Sequence, residues 1–126
     1  MKVGDISEAT RTFTSQDLRV YAALSGHKGA IKSERVPGPL IDVLISSVLS
    51  EQLPGNGAIL LRLETRYQPG AVAGEPLTAK VEIAQLIPDE QLAELTTSCS
   101  RADGKVIARG HALARLSDLM QENGKD

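Results

Sequence analysis

The chain has 126 residues, enough for one domain with a substantial core, and its 41% hydrophobic and 24% charged residues are ordinary for a globular protein. A formal net charge of -2, with acids and bases interspersed and with one phenylalanine and two tyrosines, argues against a nucleic-acid-binding surface. The apolar stretch over residues 40–49 is too short to cross a membrane, and the lone Cys99 indicates neither a disulfide framework nor a metal site. We therefore expect a cytoplasmic protein that uses no metal or redox cofactor.

The N-terminal segment predicts a strand followed by a capped helix. Residues Ile6–Phe13 have the composition of a half-exposed strand. Thr14 is placed to cap a helix, with Asp17 in the capping-box position and Gly26 ending the helix. The predicted apolar face of this helix consists of Leu18, Tyr21, Ala22 and Leu24.

The segment over residues 39–53 predicts a second helix that is apolar on nearly all sides. Gly38 is expected to be its N-cap and Pro39 its first helical residue. Such a helix must be buried, and only strands remain in the chain to cover it. The apolar positions are Leu40, Ile41, Val43, Leu44, Ile45, Val48 and Leu49.

The rest of the chain predicts four strands separated by turn signals, in the order Ala58–Tyr67, Leu77–Leu86, Leu92–Arg101 and Lys105–Leu116. A buried position on the third of these strands accounts for Cys99. An antiparallel sheet wrapped around one central apolar helix buries all of these elements, which is the α+β hot-dog fold. We expect this single domain over residues 1–118 and a polar tail over residues 119–126.

Short segments spread over nearly the whole domain carry a family resemblance, in order and at compatible spacing. They are Val3–Asp5, Thr10–Thr14, Tyr21–Gly26, Val36–Gly38, Leu53–Gly55, Tyr67 with Gly74–Glu75, Thr96–Thr97 and Asp103–Gly104. In these segments the chain resembles the MaoC-like hot-dog proteins, most closely the short (R)-specific enoyl-CoA hydratases. The resemblance implies an acyl-CoA or enoyl-CoA thioester as substrate or ligand. It also implies a cleft at the interface of a homodimer, or of a heterodimer with a catalytic paralogue.

The catalytic loop of that family, Asp-x-Asn-Pro-x-His after the first helix, is altered in this chain. His27 stands where the family has the aspartate, Gly29 and Ala30 replace Asn-Pro, and Lys32 replaces the histidine. The segment between Lys32 and Val36 is several residues shorter than is usual in that family. We therefore expect the entrance to the substrate cleft to be more open. His27 and Lys32 are open to three interpretations: a substituted acid–base dyad, phosphate contacts for a CoA-like ligand, or two exposed loop residues.

Two residues of the central helix are further candidates. The resemblance places the Gly38 N–H at the thioester oxygen, where the helix dipole favours negative charge. Asp42 lies where the family has a small residue. Asp42 could orient His27 as part of an acid–base pair. It could instead be a capping carboxylate that faces solvent or a dimer interface, or the central-helix carboxylate of a hot-dog thioesterase.

Three functions remain open on the sequence alone. The protein could keep the acyl-thioester cleft without the standard dyad, either binding acyl-CoA or acting as the non-catalytic half of a heterodimer. It could be an active enoyl-CoA hydratase or dehydratase that uses the substituted groups. It could also be a structural or regulatory dimer.

Overall fold

A computed structural model describes residues 1–29 and 33–117. The predicted site residue Lys32 and the predicted tail 119–126 lie outside the described residues. In chain order the elements are β1 Ile6–Thr12, α1 Ser15–Ser25, α2 Gly38–Glu51, β2 Ile59–Tyr67, β3 Pro76–Ile87, a short 3-10 turn Pro88–Glu90, β4 Leu92–Arg101 and β5 Val106–Arg115.

The five strands form one antiparallel sheet in the order β1-β3-β4-β5-β2, and α2 packs against one face of it. The alternation of β3 is confirmed, because Leu77, Ala79, Val81 and Ile83 are all fully buried beneath the helix. Cys99 is buried on β4, also as expected. The predicted hot-dog fold is therefore confirmed.

Helix α1 begins and ends as predicted. Thr14 and Asp17 form a reciprocal capping box, and Gly26 closes the helix in the left-handed conformation at φ 76°. The apolar face was predicted too wide, because Leu24 is 84% exposed. Leu24 lies two positions beyond the buried Ala22, which is about 200° around a helix of 3.6 residues per turn, and so it points to solvent.

Helix α2 differs from the prediction at its start and in its surroundings. Pro37 is the N-cap, Gly38 is the first helical residue and Pro39 the second, one position earlier than expected. The sheet covers only one side of the helix, and Val43 on the opposite side is 52% exposed. Prediction of burial on all sides was therefore wrong, since one sheet covers one face of a helix. Among the described residues, neither helix is long and apolar enough to cross a membrane.

Strand β2 lies at one edge of the sheet, and its predicted two-residue alternation fails in its first half. A bulge between Leu60 and Arg62 shifts the register against β5. As a result Ile59, Leu60 and Leu61 are all 42–58% exposed, although Ile59 and Leu61 were predicted on one apolar face. After the bulge the strand alternates again, with Leu63 and Thr65 turned towards α2 and partly buried.

Candidate functional site

The start of α2 presents a free backbone amide. The N–H groups of Leu40 and Ile41 both donate to the carbonyl of Pro37, and Pro39 has no N–H. Within the part of the chain that the structure describes, the Gly38 N–H is left without a hydrogen-bond acceptor. A single amide at the positive end of a 14-residue helix is suited to hold an oxygen that carries or gains negative charge.

Tyr67, the last residue of β2, covers this helix start. A β-carbon built on Gly38 would lie 2.9 Å from Cζ and 3.1 Å from Cε1 and Cε2 of the Tyr67 ring. Such distances are below ordinary carbon–carbon contact, so only glycine permits the ring to approach. The contact brings the edge of the sheet against the first turn of the helix.

Asp42 lies one helical turn after Gly38 and joins α2 to β2 through two hydrogen bonds. The hydroxyl of Thr65 donates to Oδ1 over 2.8 Å, and the hydroxyl of Tyr67 donates to Oδ2 over 2.5 Å. The Cα–Cβ bonds of a helix tilt towards its N-terminus, so this carboxylate leans back towards the turn that contains Gly38. Tyr67 thus contacts Gly38 with its ring and Asp42 with its hydroxyl.

The hydroxyl of Tyr67 is held in its neutral form. Partial burial, and then the hydrogen bond and the charge of the Asp42 carboxylate, raise the pKa of Tyr67 to about 12. At neutral pH this phenol is therefore a proton donor to the carboxylate and not a base.

The same face of α2 continues from this polar group to an apolar hollow. Gly38, Asp42, Ser46 and Leu49 follow one another at intervals of four, four and three residues, which places them along one side of the helix. The hollow has a volume of about 130 Å³ and lies between the helix and the first half of β2. It is lined by Ser46, Leu49, Ser50, Pro54, Ala58, Leu60 and Ala114.

The predicted partners of the site are not brought together by the hydrogen bonds of the described residues. His27 is exposed after α1, and its backbone N–H donates to the hydroxyl of Ser25. The hydrogen bonds of Asp42 lead to Thr65 and Tyr67 and not to His27, so the carboxylate does not orient that imidazole. Asp42 is the fifth residue of α2 and does not belong to its first turn.

Sequence reasoning missed Thr65 as a site residue and used Tyr67 only as a family marker. The signal was present in β2, where Leu63, Thr65 and Tyr67 alternate onto the face that meets the helix. A threonine and a tyrosine at these positions offer two hydroxyls to any acceptor on the facing turn of α2.

His111 on β5 and Cys99 on β4 do not take part in the hydrogen bonds of Asp42. Nε2 of His111 lies 2.9 Å from a carboxylate oxygen of Glu64 on the neighbouring strand. Burial raises the pKa of the Cys99 thiol to about 11, so it stays protonated at neutral pH and is a poor nucleophile. No group of three or more His, Cys, Asp or Glu side chains within residues 1–29 and 33–117 could hold a metal ion.

Comparisons with known proteins agree with this architecture, although no protein-family model matches the chain. An (R)-specific enoyl-CoA hydratase from Aeromonas caviae is 28% identical over 128 aligned positions, covering 92% of this chain and 96% of the relative. A 3-hydroxybutyryl-CoA dehydratase from Methylorubrum extorquens is 29% identical over 128 positions, covering 92% and 81%. The solved structure of an (R)-hydratase from A. caviae involved in PHA biosynthesis has a TM-score of 0.87 at 27% identity, over 93% of this chain and 98% of that one.

These relatives match the chain over nearly its full length, in sequence over 92% of it and in fold over 93% of it. The chain therefore has the α+β hot-dog fold and is similar in sequence to (R)-specific enoyl-CoA hydratases and a 3-hydroxybutyryl-CoA dehydratase.

Proposed function

We propose that this protein binds an acyl-CoA or enoyl-CoA thioester beside the start of α2, and that its loop lacks the Asp/His dyad of the related hydratases. The observation that carries the proposal is the free N–H of Gly38 at the helix start. A thioester carbonyl gains negative charge when the adjacent carbons react, and a preorganised amide at a helix N-terminus stabilises that charge.

The acyl chain is proposed to run along α2 from Gly38, past Asp42, into the apolar hollow beside Ser46 and Leu49. Residues 38 and 49 are separated by about 16 Å of helix at 1.5 Å per residue. The hollow offers mostly apolar surface at the far end of this path. A larger side chain at Ser46 should therefore exclude long acyl chains before short ones.

The loss of the loop dyad is proposed from His27 and Lys32, which occupy the positions of the family's Asp and His. His27 is exposed, and an exposed imidazole on a polar loop is poorly placed to activate one particular water molecule. Catalysis by these two positions is therefore not part of the proposal.

A homodimer is proposed through the free edge of β2. The exposed Ile59, Leu60 and Leu61 make this edge more apolar than β1 at the opposite edge, where Ile6 is the exposed large aliphatic residue. An exposed apolar sheet edge offers unpaired N–H and C=O groups to which a strand of another chain can pair. Pairing two copies of β2 would make one continuous sheet with two-fold symmetry. Leu61→Glu should give a monomer in sedimentation experiments, whereas Leu24→Glu on the exposed face of α1 should leave the dimer intact.

Binding is tested by thermal unfolding in the presence of CoA, butyryl-CoA and octanoyl-CoA. The thioesters should raise the unfolding temperature more than CoA, because only they can occupy the proposed acyl site. A ligand at 100 times its Kd stabilises the folded state by about 2.7 kcal/mol. Ser46→Phe should remove the effect of octanoyl-CoA while retaining that of butyryl-CoA. Equal behaviour of CoA and both thioesters would contradict an acyl site. Co-purification of a paralogue that carries the Asp/His dyad, in equal amount, would show that the protein forms a heterodimer and not the proposed homodimer.

A further inference from the structure

We propose that Asp42 is the residue that transfers the proton when water adds to the double bond of an enoyl thioester, and that Tyr67 and Thr65 position its carboxylate. This inference rests on the proposed function, because it requires the thioester oxygen to lie at the Gly38 N–H. It adds a catalytic group that does not belong to the loop after α1.

The position of Asp42 relative to Gly38 is the first argument. One helical turn separates the two residues, and the aspartate side chain leans back along the helix towards the glycine. Tyr67 fixes this arrangement because its ring lies against Gly38 while its hydroxyl donates to Asp42. The carbons next to a thioester carbonyl held at Gly38 therefore lie beside the carboxylate.

The state of the carboxylate is the second argument. Asp42 is only partly buried, and each of its oxygens accepts one hydrogen bond from a neutral hydroxyl, which leaves lone pairs on both oxygens for a water molecule. Among the described residues no Lys, Arg or His forms an ion pair with it. A carboxylate that is oriented on two sides and not neutralised by a cation is suited to accept a proton.

The reaction balances with water as the only co-reactant. Asp42 takes a proton from water as the oxygen forms a bond to C3 of the enoyl group. The π electrons of the C2–C3 bond move towards the thioester, whose oxygen accepts the charge and the hydrogen bond from Gly38. The carboxylic acid then returns the proton to C2, which regenerates the carboxylate and leaves a 3-hydroxyacyl thioester. Dehydration is the same sequence in reverse.

The test measures the loss of enoyl absorbance with crotonyl-CoA, together with butyryl-CoA binding, in matched variants. Asp42→Asn should lower kcat by about 100-fold or more, the usual effect of removing a general acid–base group, and leave butyryl-CoA affinity unchanged. Tyr67→Phe keeps the ring on Gly38 and should lower kcat by about tenfold with KM unchanged, the effect of one lost hydrogen bond to a charged group. Glu8→Gln on the exposed face of β1 is the control and should match the unaltered protein.

Each other outcome is decisive. Binding of butyryl-CoA without any hydration by the unaltered protein overturns this inference and leaves the proposed function standing, whereas no binding removes the proposed function itself. A large loss with His27→Gln and none with Asp42→Asn assigns the chemistry to the loop after α1. Release of free thiol in place of hydration identifies a thioesterase and also overturns the inference. If Asp42→Asn does not fold, an unchanged kcat in Tyr67→Phe overturns the positioning of the carboxylate.

Discussion

The ring of Tyr67 lies against the α-carbon of Gly38, so that the end of β2 and the start of α2 share one contact. Gly38 does not have a positive φ, unlike Gly26 or Gly104, and the backbone conformation does not demand glycine there. The demand comes from the ring, which leaves no room for a β-carbon. Glycine at this position therefore serves the packing of Tyr67 as well as the exposure of its own amide.

The first prediction concerns this contact. Gly38→Ala should destabilise the protein by about 1–3 kcal/mol, the usual cost of overpacking, because the ring must move away. In a Tyr67→Leu background the same substitution should cost much less, and the two effects should be non-additive in a double-mutant cycle measured by urea unfolding. Gly29→Ala is the control, since its β-carbon would meet His27 at an ordinary 3.7 Å. Equal costs in both backgrounds would show that Tyr67 is not the obstacle.

The second prediction concerns the ionisation of Tyr67. The chain has two tyrosines and no tryptophan, so a Tyr21→Phe variant reports Tyr67 alone in an absorbance titration of tyrosinate. The midpoint should lie near 12, and Asp42→Asn should bring it down towards the ordinary value of about 10, because the negative charge beside the phenol is removed. A midpoint that does not respond to Asp42→Asn would exclude the hydrogen bond between the two residues.

The same pKa has a consequence for stability. Since the pKa of Tyr67 is higher in the folded than in the unfolded state, the stability it contributes is complete below about pH 10 and is lost as the pH rises through about 12. The Tyr67→Phe variant should lack this alkaline loss.

Much of the fold could be predicted because its determinants are local in sequence. The capping box of Thr14 and Asp17 spans four residues, and the alternation of β3 from Leu77 to Ile83 requires nothing beyond the strand itself. The candidate site is different. Asp42 meets Thr65 and Tyr67 across 23 and 25 residues, and the contact depends on the bulge that resets β2 between Leu60 and Arg62. A bulge of this kind leaves no reliable signal in the local sequence. Asp42 could therefore be predicted as a candidate site residue, but its hydrogen-bond partners could not.

The prediction that α2 is buried on all sides failed for a related reason. Periodicity indicates which residues are apolar, but the extent of the covering surface decides which of them are buried. The sheet covers one side of α2, and Val43 on the other side stays exposed.

The third prediction concerns Gly110 on β5. A β-carbon at this position would overlap the backbone oxygen of Glu64 on β2, the neighbouring strand. A backbone atom within a ladder cannot move without breaking the pairing, so Gly110→Ala should cost more than about 3 kcal/mol or abolish folding. Cooperative unfolding followed by circular dichroism measures the effect, with Gly29→Ala again as the control. A Gly110→Ala protein of native stability would mean that β2 and β5 are farther apart than described.

The fourth prediction concerns Arg66 and Arg109, which lie directly opposite each other on β2 and β5. Like charges at such a pair are destabilising, and within residues 1–29 and 33–117 neither arginine has an ion pair with an acid. Arg66→Glu should therefore stabilise the protein by about 0.2–1 kcal/mol, since it removes the repulsion and adds an attraction to Arg109.

The effect of Arg66→Glu is measured by urea unfolding at one fixed protein concentration and at two salt concentrations. The gain should shrink at 1 M salt, where the screening length falls to about 3 Å. Arg115→Glu is the matched control, because Arg115 faces Ile59 and Leu92 and has no charged residue opposite it. A gain that persists at high salt, or that Arg115→Glu reproduces, would assign the effect to net charge or strand propensity and not to the cross-strand pair. A gain confined to low salt and to Arg66 locates the repulsion between the two arginines.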